Sequence, residues 1–351
     1  MSPSNRAKKE KTQHVVVTGP PPPLPTEVLG RIFTESIRCS RPTSIDGIRP
    51  GASPVTLAGV CQQWRRVAFD CRQIWTGIDL VLNVVDKTGK YLSPTIWAEH
   101  SQGAPLDVRV FQYHVELESF NRDEMDEMDA RYGRPRREAP MTRRLIEFLL
   151  PLAPQIRSLD LFLRWPYESI LTRVLNCWVT HGNLRRTKSL AVHNDNDSRH
   201  LDLPIPKQHQ SFFESLEVLD LHGTAIPWAN FPCKNIKTLT IGVGKYADGS
   251  VTIALPTLAV ILARCPGLQH LKLNYVGIEP SAKKIKAVLL KHLRSIRIGG
   301  CGGSRSALAI IDPGESEPSV DISLYSSGFP QFALKAAIGE DFERKQEAEE
   351  A

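Results

Sequence analysis

The period of the apolar residues changes once along this chain, from that of a helix to that of a strand. In Leu24–Ile37 and again in Pro54–Phe69, apolar residues recur every three or four positions. This spacing puts them on one face of each predicted helix. Ser53 is suited to cap the second helix, because the proline that follows it fits the first helical position. The pattern therefore predicts a small helical module at 24–75 that ends in a short turn near 70–75.

The strand period begins at residue 78. Apolar residues occupy alternate positions at 78–82 and again at 106–110, which is the pattern of half-buried strands. Between these two strands we expect a short helix that is capped by Ser93 and stopped by Gly103.

Six later segments repeat one motif, with apolar residues at positions i, i+3 and i+5 and a threonine at one of these positions. The segments are Ile156/Leu159/Leu161, Thr187/Leu190/Val192, Leu216/Leu219/Leu221, Ile236/Leu239/Ile241, Leu268/Leu271/Leu273 and Leu293/Ile296/Ile298. Successive copies are 20–32 residues apart, a step typical of a leucine-rich solenoid with one strand and one helix or turn per unit. An ordinary α/β sheet can carry one or two copies by chance, so six copies favour the solenoid.

The chain is thus expected to belong to the α/β class, with the helical module followed by a leucine-rich-repeat-like solenoid at 76–338. Helices are expected between the later strands, at 142–150, 168–182, 257–264 and 281–292.

Three segments differ in composition from the rest of the chain. Residues 1–23 are basic and proline-rich, which predicts a disordered leader. Residues 115–140 are strongly charged, which indicates an exposed insertion, and residues 339–351 form an acidic tail. The acidic residues of the insertion lack the spacing and the glycine of a calcium-binding loop.

The net charge of +6 is unevenly distributed. Residues 264–305 carry nine lysine and arginine residues and a single acidic residue, Glu279. Such a segment can attract nucleic acid or an acidic protein, or it can be the solvated face of a helix. Single-strand binders interleave aromatic residues with their cations, and here Tyr275 is the only aromatic residue of the segment.

The sequence carries no recognisable catalytic or metal motif. The 351 residues contain no apolar run of the roughly 20 residues that a membrane span needs, and the basic N-terminus lacks a secretory signal. Seven scattered cysteines, none in CxxC spacing, indicate a reducing compartment. The glycines at 242–246 and 299–303 fail the phosphate-loop and dinucleotide patterns, and the latter predict a flexible turn. We therefore expect a cytoplasmic or nuclear protein that is not an enzyme and holds no metal or cofactor.

The helical module resembles the F-box. The residues that carry the resemblance are Leu24-Pro25-x-Glu27-Val28-Leu29-x-x-Ile32-Phe33, followed by Val60-Cys61-x-x-Trp64-Arg65-x-Val67-Ala68. The segments Ile74–Leu80 and Trp97–Leu106 are similar to those of fungal-type F-box proteins with an irregular leucine-rich C-terminal half. The specific part of the resemblance lies within residues 24–68, and the later half is similar only in pattern.

The resemblance implies an adaptor role. F-box proteins bind a Skp-type adaptor, which joins them to a cullin–RING ubiquitin ligase, and their second half captures a protein substrate. On this resemblance, the surface for the Skp-type adaptor comprises Leu24, Pro25, Val28, Leu29, Ile32 and Phe33. The apolar period does not tell which stripe of this helix faces inward. We interpret Cys61 and Trp64 as internal packing residues.

The predicted solenoid also implies a binding face. In each leucine-rich strand the residue between the two inward positions points outward. The first outward row then runs from acidic to basic through Asp160, Ala191, Asp220, Thr240, Lys272 and Arg297, and the second through Phe162, His193, His222, Gly242, Asn274 and Gly299. We predict substrate contacts at Asp160, Phe162, Asp220, His222, Lys272, Asn274 and Arg297. The alternative function is a non-catalytic scaffold that binds nucleic acid or an acidic protein through 264–305.

Overall fold

Two compact units make up the part of the chain that the computed structural model describes. The first contains the described residues up to Asp70, and the second contains those from Cys71 onward. The predicted leader, the acidic tail and residues 115–133 of the predicted insertion lie outside the described residues. The described residues are 24–40, 53–82, 91–111, 134–163, 173–177, 180, 186–194, 201–202, 213–225, 233–242, 251–282, 285–300 and 303–323.

Three helices form the first unit: α1 (Thr26–Ser40), α2 (Pro54–Val60) and α3 (Gln62–Asp70). As predicted, the side chain of Ser53 caps α2, because its hydroxyl oxygen accepts a hydrogen bond of 3.1 Å from the backbone N–H of Thr56. The buried hydrophobic residues described in this unit are Leu29, Phe33, Leu57, Ala58, Val67 and Ala68.

The single helix predicted at 54–69 is wrong. Cys61 has an extended backbone, with φ −158° and ψ 173°, and it separates α2 from α3. At this break Cys61 is exposed, so its predicted packing role is also wrong. Trp64 is half-buried and packs against Phe33, with ring centroids 4.9 Å apart. The apolar period continues across the break, so it could not reveal it.

The second unit begins with the predicted turn, which is a 3-10 helix at Arg72–Trp75. Trp75 is buried and contacts Trp97 edge to face, with ring centroids 6.4 Å apart. The segments Ile74–Leu80 and Trp97–Leu106, which contain these two tryptophans, are therefore neighbours in the fold.

The strands of the second unit are short. In chain order they are β1 (Gly77–Val81), β2 (Leu106–Phe111), β3 (Ile156–Leu163), β4 (Ser189–Asn194), β5 (Leu201–Asp202), β6 (Val218–His222), β7 (Thr224–Ala225), β8 (Thr238–Gly242), β9 (Val251–Ala254), β10 (His270–Asn274), β11 (Val276–Glu279), β12 (Val288–Leu289), β13 (Ser295–Gly299), β14 (Ile311–Asp312) and β15 (Ser319–Ser323).

Nine of these strands form one parallel sheet, in the order β1-β2-β3-β4-β6-β8-β10-β13-β15. Every strand therefore pairs with the member of the sheet that precedes it in the chain. The remaining strands form three parallel pairs, β5 with β7, β9 with β11, and β12 with β14. The predicted α/β class is confirmed.

The six repeated segments each supply a strand of the sheet, and all eighteen of their pattern positions are buried. Leu159, Leu190 and Leu219 are aligned across three adjacent strands, and the later copies continue this row. We call this side of the sheet the inner face. Thr187 also points into it, and its hydroxyl group donates a hydrogen bond of 3.0 Å to the backbone oxygen of Ile156, so this buried hydroxyl group is paired. The last strand, β15, was not predicted because it lacks the apolar triplet.

The backbone repeats its geometry at the entrance to each strand. Before β4, β6, β8, β10 and β13, the N–H group of the residue that precedes the strand donates to the carbonyl group at the equivalent position of the preceding strand of the sheet, at 2.7–2.8 Å. Five successive bonds of this kind join Arg157, Lys188, Glu217, Lys237, Gln269 and Arg294. The spacing of the repeats along the chain varies, but their backbone alignment does not.

Helices pack against the inner face. They are α4 (Leu92–His100), α5 (Arg134–Leu152), α6 (Leu255–Ala263) and α7 (Ser304–Ala309). Leu145 of α5 and Leu258 of α6 lie in the same apolar cluster as the leucine rows of the strands. Burial of each large apolar side chain is worth about 1.5–3 kcal/mol, which makes this cluster the main source of stability.

The predicted helices agree with the structure to different degrees. α6 matches the prediction at 257–264, whereas α5 begins earlier than 142 and runs through Pro140. α4 begins at Leu92, so Ser93 is not its cap. Of the helix predicted at 168–182, only residues 173–177 and 180 are described, and these are helical.

The helix predicted at 281–292 is wrong. Its described part contains β12, which pairs with β14, and turn residues at 291–292. The apolar residues near 285–290 serve this strand and the core rather than one helical face. Gly300 and Gly303 have φ values of +62° and +74°, as the turn predicted at 299–303 requires.

Candidate functional site

The first candidate surface is the solvent-facing stripe of α1. Leu24, Val28 and Ile32 are 48%, 42% and 43% exposed, and their spacing of four residues puts them along one side of the chain. Leu29 and Phe33 form the other stripe and are buried inside the unit. The prediction that all six apolar residues of this segment form a docking surface is therefore corrected for Leu29 and Phe33, whose role is internal packing.

The surface that remains available comprises the exposed residues Leu24, Pro25, Val28 and Ile32. Gln63 of α3 supports its start, because its side-chain amide donates a hydrogen bond of 3.1 Å to the backbone oxygen of Leu24.

The second candidate surface is the side of the nine-stranded sheet opposite the leucine rows, which we call the outer face. The structure aligns the six residues that the sequence assigned to the first outer row. It extends this row by Asp79 and Arg109 at its start and by Asp321 at its end. In sheet order the row is Asp79, Arg109, Asp160, Ala191, Asp220, Thr240, Lys272, Arg297 and Asp321.

Ion pairs inside this row alter its charge pattern. The guanidinium group of Arg109 makes two hydrogen bonds to the carboxylate of Asp79, at 2.7 and 2.8 Å. At the other end, Nε of Arg297 donates to Asp321 at 3.0 Å. The predicted change from acidic to basic along the row is therefore wrong for the whole sheet, because each end carries a cation beside an anion.

The second outer row begins with a stack of rings on four adjacent strands. Phe111 and Phe162 are nearly parallel, with centroids 5.4 Å apart and planes at 13°. The ring centroid of His193 lies 4.4 Å from that of Phe162. The ring centroid of His222 lies 4.4 Å from that of His193, and the planes of the two imidazoles differ by 11°. The stack ends at Gly242, where an added Cβ atom would lie only 2.5 Å from Nδ1 of His222. The rings thus cover the first half of the outer face.

Asp220 lies beside the two imidazoles of this stack. Its Oδ1 is 2.9 Å from Nε2 of His222, and its Oδ2 is 3.9 Å from Nε2 of His193. Although the first distance is short, the ring of His222 does not give it hydrogen-bond geometry, and Oδ1 is buried with no hydrogen-bond partner among the described residues. We take the distance as an electrostatic contact.

The electrostatics of this group favour neutral imidazole beside a charged carboxylate. The pKa of His193 falls to about 4, mainly because the ring is buried; the neighbouring His222 also lowers it, by more than Asp220 raises it. Burial alone would raise the pKa of Asp220, but contact with His222 and the nearby charges of His193 and Lys272 outweigh burial, so that the pKa falls below its usual value.

The second half of the outer face has few large side chains. Residues 242, 274 and 299, which continue the ring row, are glycine, asparagine and glycine. Thr240 of the first row is buried, and the charge of Lys272 helps to lower the pKa of Asp220. The predicted contact residues of the two halves therefore share a face but differ in chemistry.

The basic residues of 264–305 do not form one patch. Arg264 follows α6, which packs against the inner face, whereas Lys272 and Arg297 stand on the outer face. Arg297 is already paired with Asp321, and Lys283 and Lys284 lie outside the described residues.

A cavity of about 450 Å³ lies on the helical side of the second unit, and no motif in the sequence indicates it. Apolar side chains and a few polar groups line it, among them Tyr91 and Arg144. Burial raises the pKa of Tyr91 to about 12, and the charge of Arg144 only partly opposes this shift. The hydroxyl group of Tyr91 donates a hydrogen bond of 3.2 Å to the backbone oxygen of Leu82.

Comparisons with known proteins found no family model that matches this chain and no characterised protein with significant sequence similarity to it. Among the described residues, none of the helices has both the length and the apolar character that crossing a bilayer requires.

Proposed function

We propose that this chain is the substrate-recognition adaptor of a Skp–cullin–F-box ubiquitin ligase. In this proposal α1 docks a Skp-type adaptor, and the outer face of the sheet captures a protein substrate. The observation that carries it is the exposed apolar pair of Val28 and Ile32 on α1, with exposed Leu24 two residues before the helix, while the opposite stripe of the helix is already buried. Large apolar side chains that stand side by side on a helix gain free energy when a partner covers them.

The proposal also treats the sheet as a leucine-rich solenoid. The strict chain order of the nine strands supports this, and so does the repeated backbone bond before each strand. The three short strand pairs lend further support, because each joins the connections of successive units in register. A stack in which each unit contacts its neighbours is the defining property of a solenoid.

The test is a binding assay with the purified full-length chain and a purified Skp-type adaptor. The variant is Leu24→Ser/Val28→Ser/Ile32→Ser, which changes only exposed positions and should leave the fold intact. We expect the wild type to bind and the variant to lose at least tenfold in affinity, because a few apolar anchors dominate such interfaces.

The matched control is Val260→Ser/Val320→Ser/Ile322→Ser, three apolar residues of the second unit that are 44%, 50% and 45% exposed. It should bind like the wild type. Equal losses in both triple variants, or no binding by a wild-type chain that is folded by circular dichroism, would contradict the proposal.

A further inference from the structure

Adjacent strands β4 and β6 bring two imidazoles and one carboxylate together on the outer face. One ligand atom from each of His193, Asp220 and His222 can be chosen so that all three lie within 4.8 Å of one another. We propose that these three residues bind a divalent transition-metal ion of the zinc type. The sequence could not suggest this site, because its ligands come from two different repeats and match no local motif.

The distances suit one shared ion. Zinc bonds to imidazole nitrogen and carboxylate oxygen are about 2.0–2.2 Å, so two ligand atoms on a tetrahedral ion stand about 3.3 Å apart. Oδ1 of Asp220 lies 2.9 Å from Nε2 of His222 and Oδ2 lies 3.9 Å from Nε2 of His193, so the two contacts lie on either side of this value but involve different oxygens. Binding through one oxygen therefore requires a local shift of the carboxylate or of a ring.

Oδ1 of Asp220 gives a second, independent reason. This oxygen is buried and has no hydrogen-bond donor among the described residues, so its electrostatic contact with His222 offsets only part of the hydration that it loses. A metal ion bound between Asp220 and the imidazoles would satisfy this oxygen.

One adjustment is needed. The rings of His193 and His222 are stacked at 11°, and an ion cannot lie in the planes of two parallel rings at once. His193 has Phe162 on its other side, whereas His222 faces Gly242, which has no side chain. His222 is thus the ring that can turn about its Cβ–Cγ bond, a torsion with a broad energy minimum.

Two nitrogen ligands and one oxygen ligand select the class of ion. Imidazole favours zinc and its neighbours over magnesium and calcium, which prefer all-oxygen sites. Three protein ligands leave at least one coordination position for water or for a group of a bound partner. The site stands independently of the proposed adaptor role, because no step of the argument uses α1 or the Skp-type adaptor.

The test uses the chelator-treated full-length chain and Zn²⁺, with calorimetry for affinity and Co²⁺ as a spectroscopic probe. We expect saturable binding in the wild type, visible Co²⁺ bands of a nitrogen- and oxygen-ligated ion, and a rise in melting temperature with Zn²⁺. The variants His193→Asn, His222→Asn and Asp220→Asn should each weaken Zn²⁺ binding at least tenfold and remove the Co²⁺ bands.

The matched control is His270→Asn. His270 stands on β10 of the same sheet, and its Nδ1 contacts the hydroxyl group of Ser295 at 2.8 Å, away from the three ligands. This variant should keep wild-type affinity. Affinity that is unchanged in all three ligand variants, or a wild type that binds no more tightly than they do, would overturn the proposal.

A second test uses Gly242→Ala. Its backbone φ is not in the left-handed region, so alanine is tolerated there, but the new Cβ would displace the ring of His222. We expect weaker Zn²⁺ binding with unchanged circular dichroism. Full affinity in this variant would contradict the assignment of His222 as a ligand.

Discussion

The two faces of the nine-stranded sheet are made from the same strands but differ in how constant the residue type is from strand to strand. On the inner face nearly every strand repeats the same residue types, and these positions are buried except in the last strand, β15. On the outer face the residue type changes from strand to strand, from paired ions to stacked rings to glycine. This contrast indicates that the inner face maintains the fold, whereas the outer face is free to acquire chemistry.

The largest expected effect comes from the inner face. Leu271→Ala removes a fully buried leucine from the central rows and should lower the free energy of unfolding by about 2–5 kcal/mol. Its neighbour Lys272, on the outer face of the same strand, is the control, and Lys272→Ala should stay within about 0.5 kcal/mol of the wild type. Chemical denaturation measures both. Equal losses would remove the distinction between the faces.

The next effect compares two ion pairs of the outer face. In the pair of Arg109 with Asp79 the side chains are 11% and 33% exposed, whereas in that of Arg297 with Asp321 they are 59% and 58% exposed. Asp79→Asn should cost about 1.5–3 kcal/mol, because it leaves a largely buried cation with a weaker partner. Asp321→Asn should cost less than about 1 kcal/mol. The same denaturation assay measures the free energy of unfolding of both variants. A larger loss of stability for Asp321→Asn than for Asp79→Asn would contradict the expectation.

The smallest effect at neutral pH concerns Tyr91, on the helical side. Tyr91→Phe leaves the buried backbone oxygen of Leu82 without its donor, which should cost about 1 kcal/mol. Since the folded pKa is raised from 10.0 to about 12, the stability that neutral Tyr91 provides is complete below pH 10 and is lost as the pH rises toward 12.

The wild type and Tyr91→Phe should therefore converge in stability over this pH range, as measured by denaturation at several pH values. Across this range the wild type should lose about 2–3 kcal/mol of stability that the variant, which has no group to ionise, keeps, so the advantage of about 1 kcal/mol that the wild type has at neutral pH should reverse before pH 12. A constant difference from pH 8 to 12 would contradict the assigned burial of Tyr91.

Sequence reasoning succeeded where a signal repeats and failed where the partner is distant in the chain. The buried leucine rows follow from the alternation of side chains within each strand, and so does the outward direction of Asp220 and of Lys272. This alternation can be read from one strand at a time. The pairing of Arg109 with Asp79 needed the register between strands, and that of Arg297 needed β15, a strand without an apolar triplet.

The first unit shows the same limit on a smaller scale. The apolar period placed α1 correctly but could not tell the stripe of Val28 from that of Leu29, because both recur every four residues. The break at Cys61 is a backbone event, and the side-chain pattern passes through it unchanged. The contact of His193 with Asp220 depends on the rotamers of both side chains, which cannot be inferred from the spacing of residues in the sequence.

The order of the sheet also bears on how the protein is made. Each of its nine strands is hydrogen-bonded only to the sheet strands before and after it in the chain. A strand that leaves the ribosome thus finds its first partner already synthesised, and it need not wait for a distant segment. The second unit can fold progressively during translation, with β15 added last.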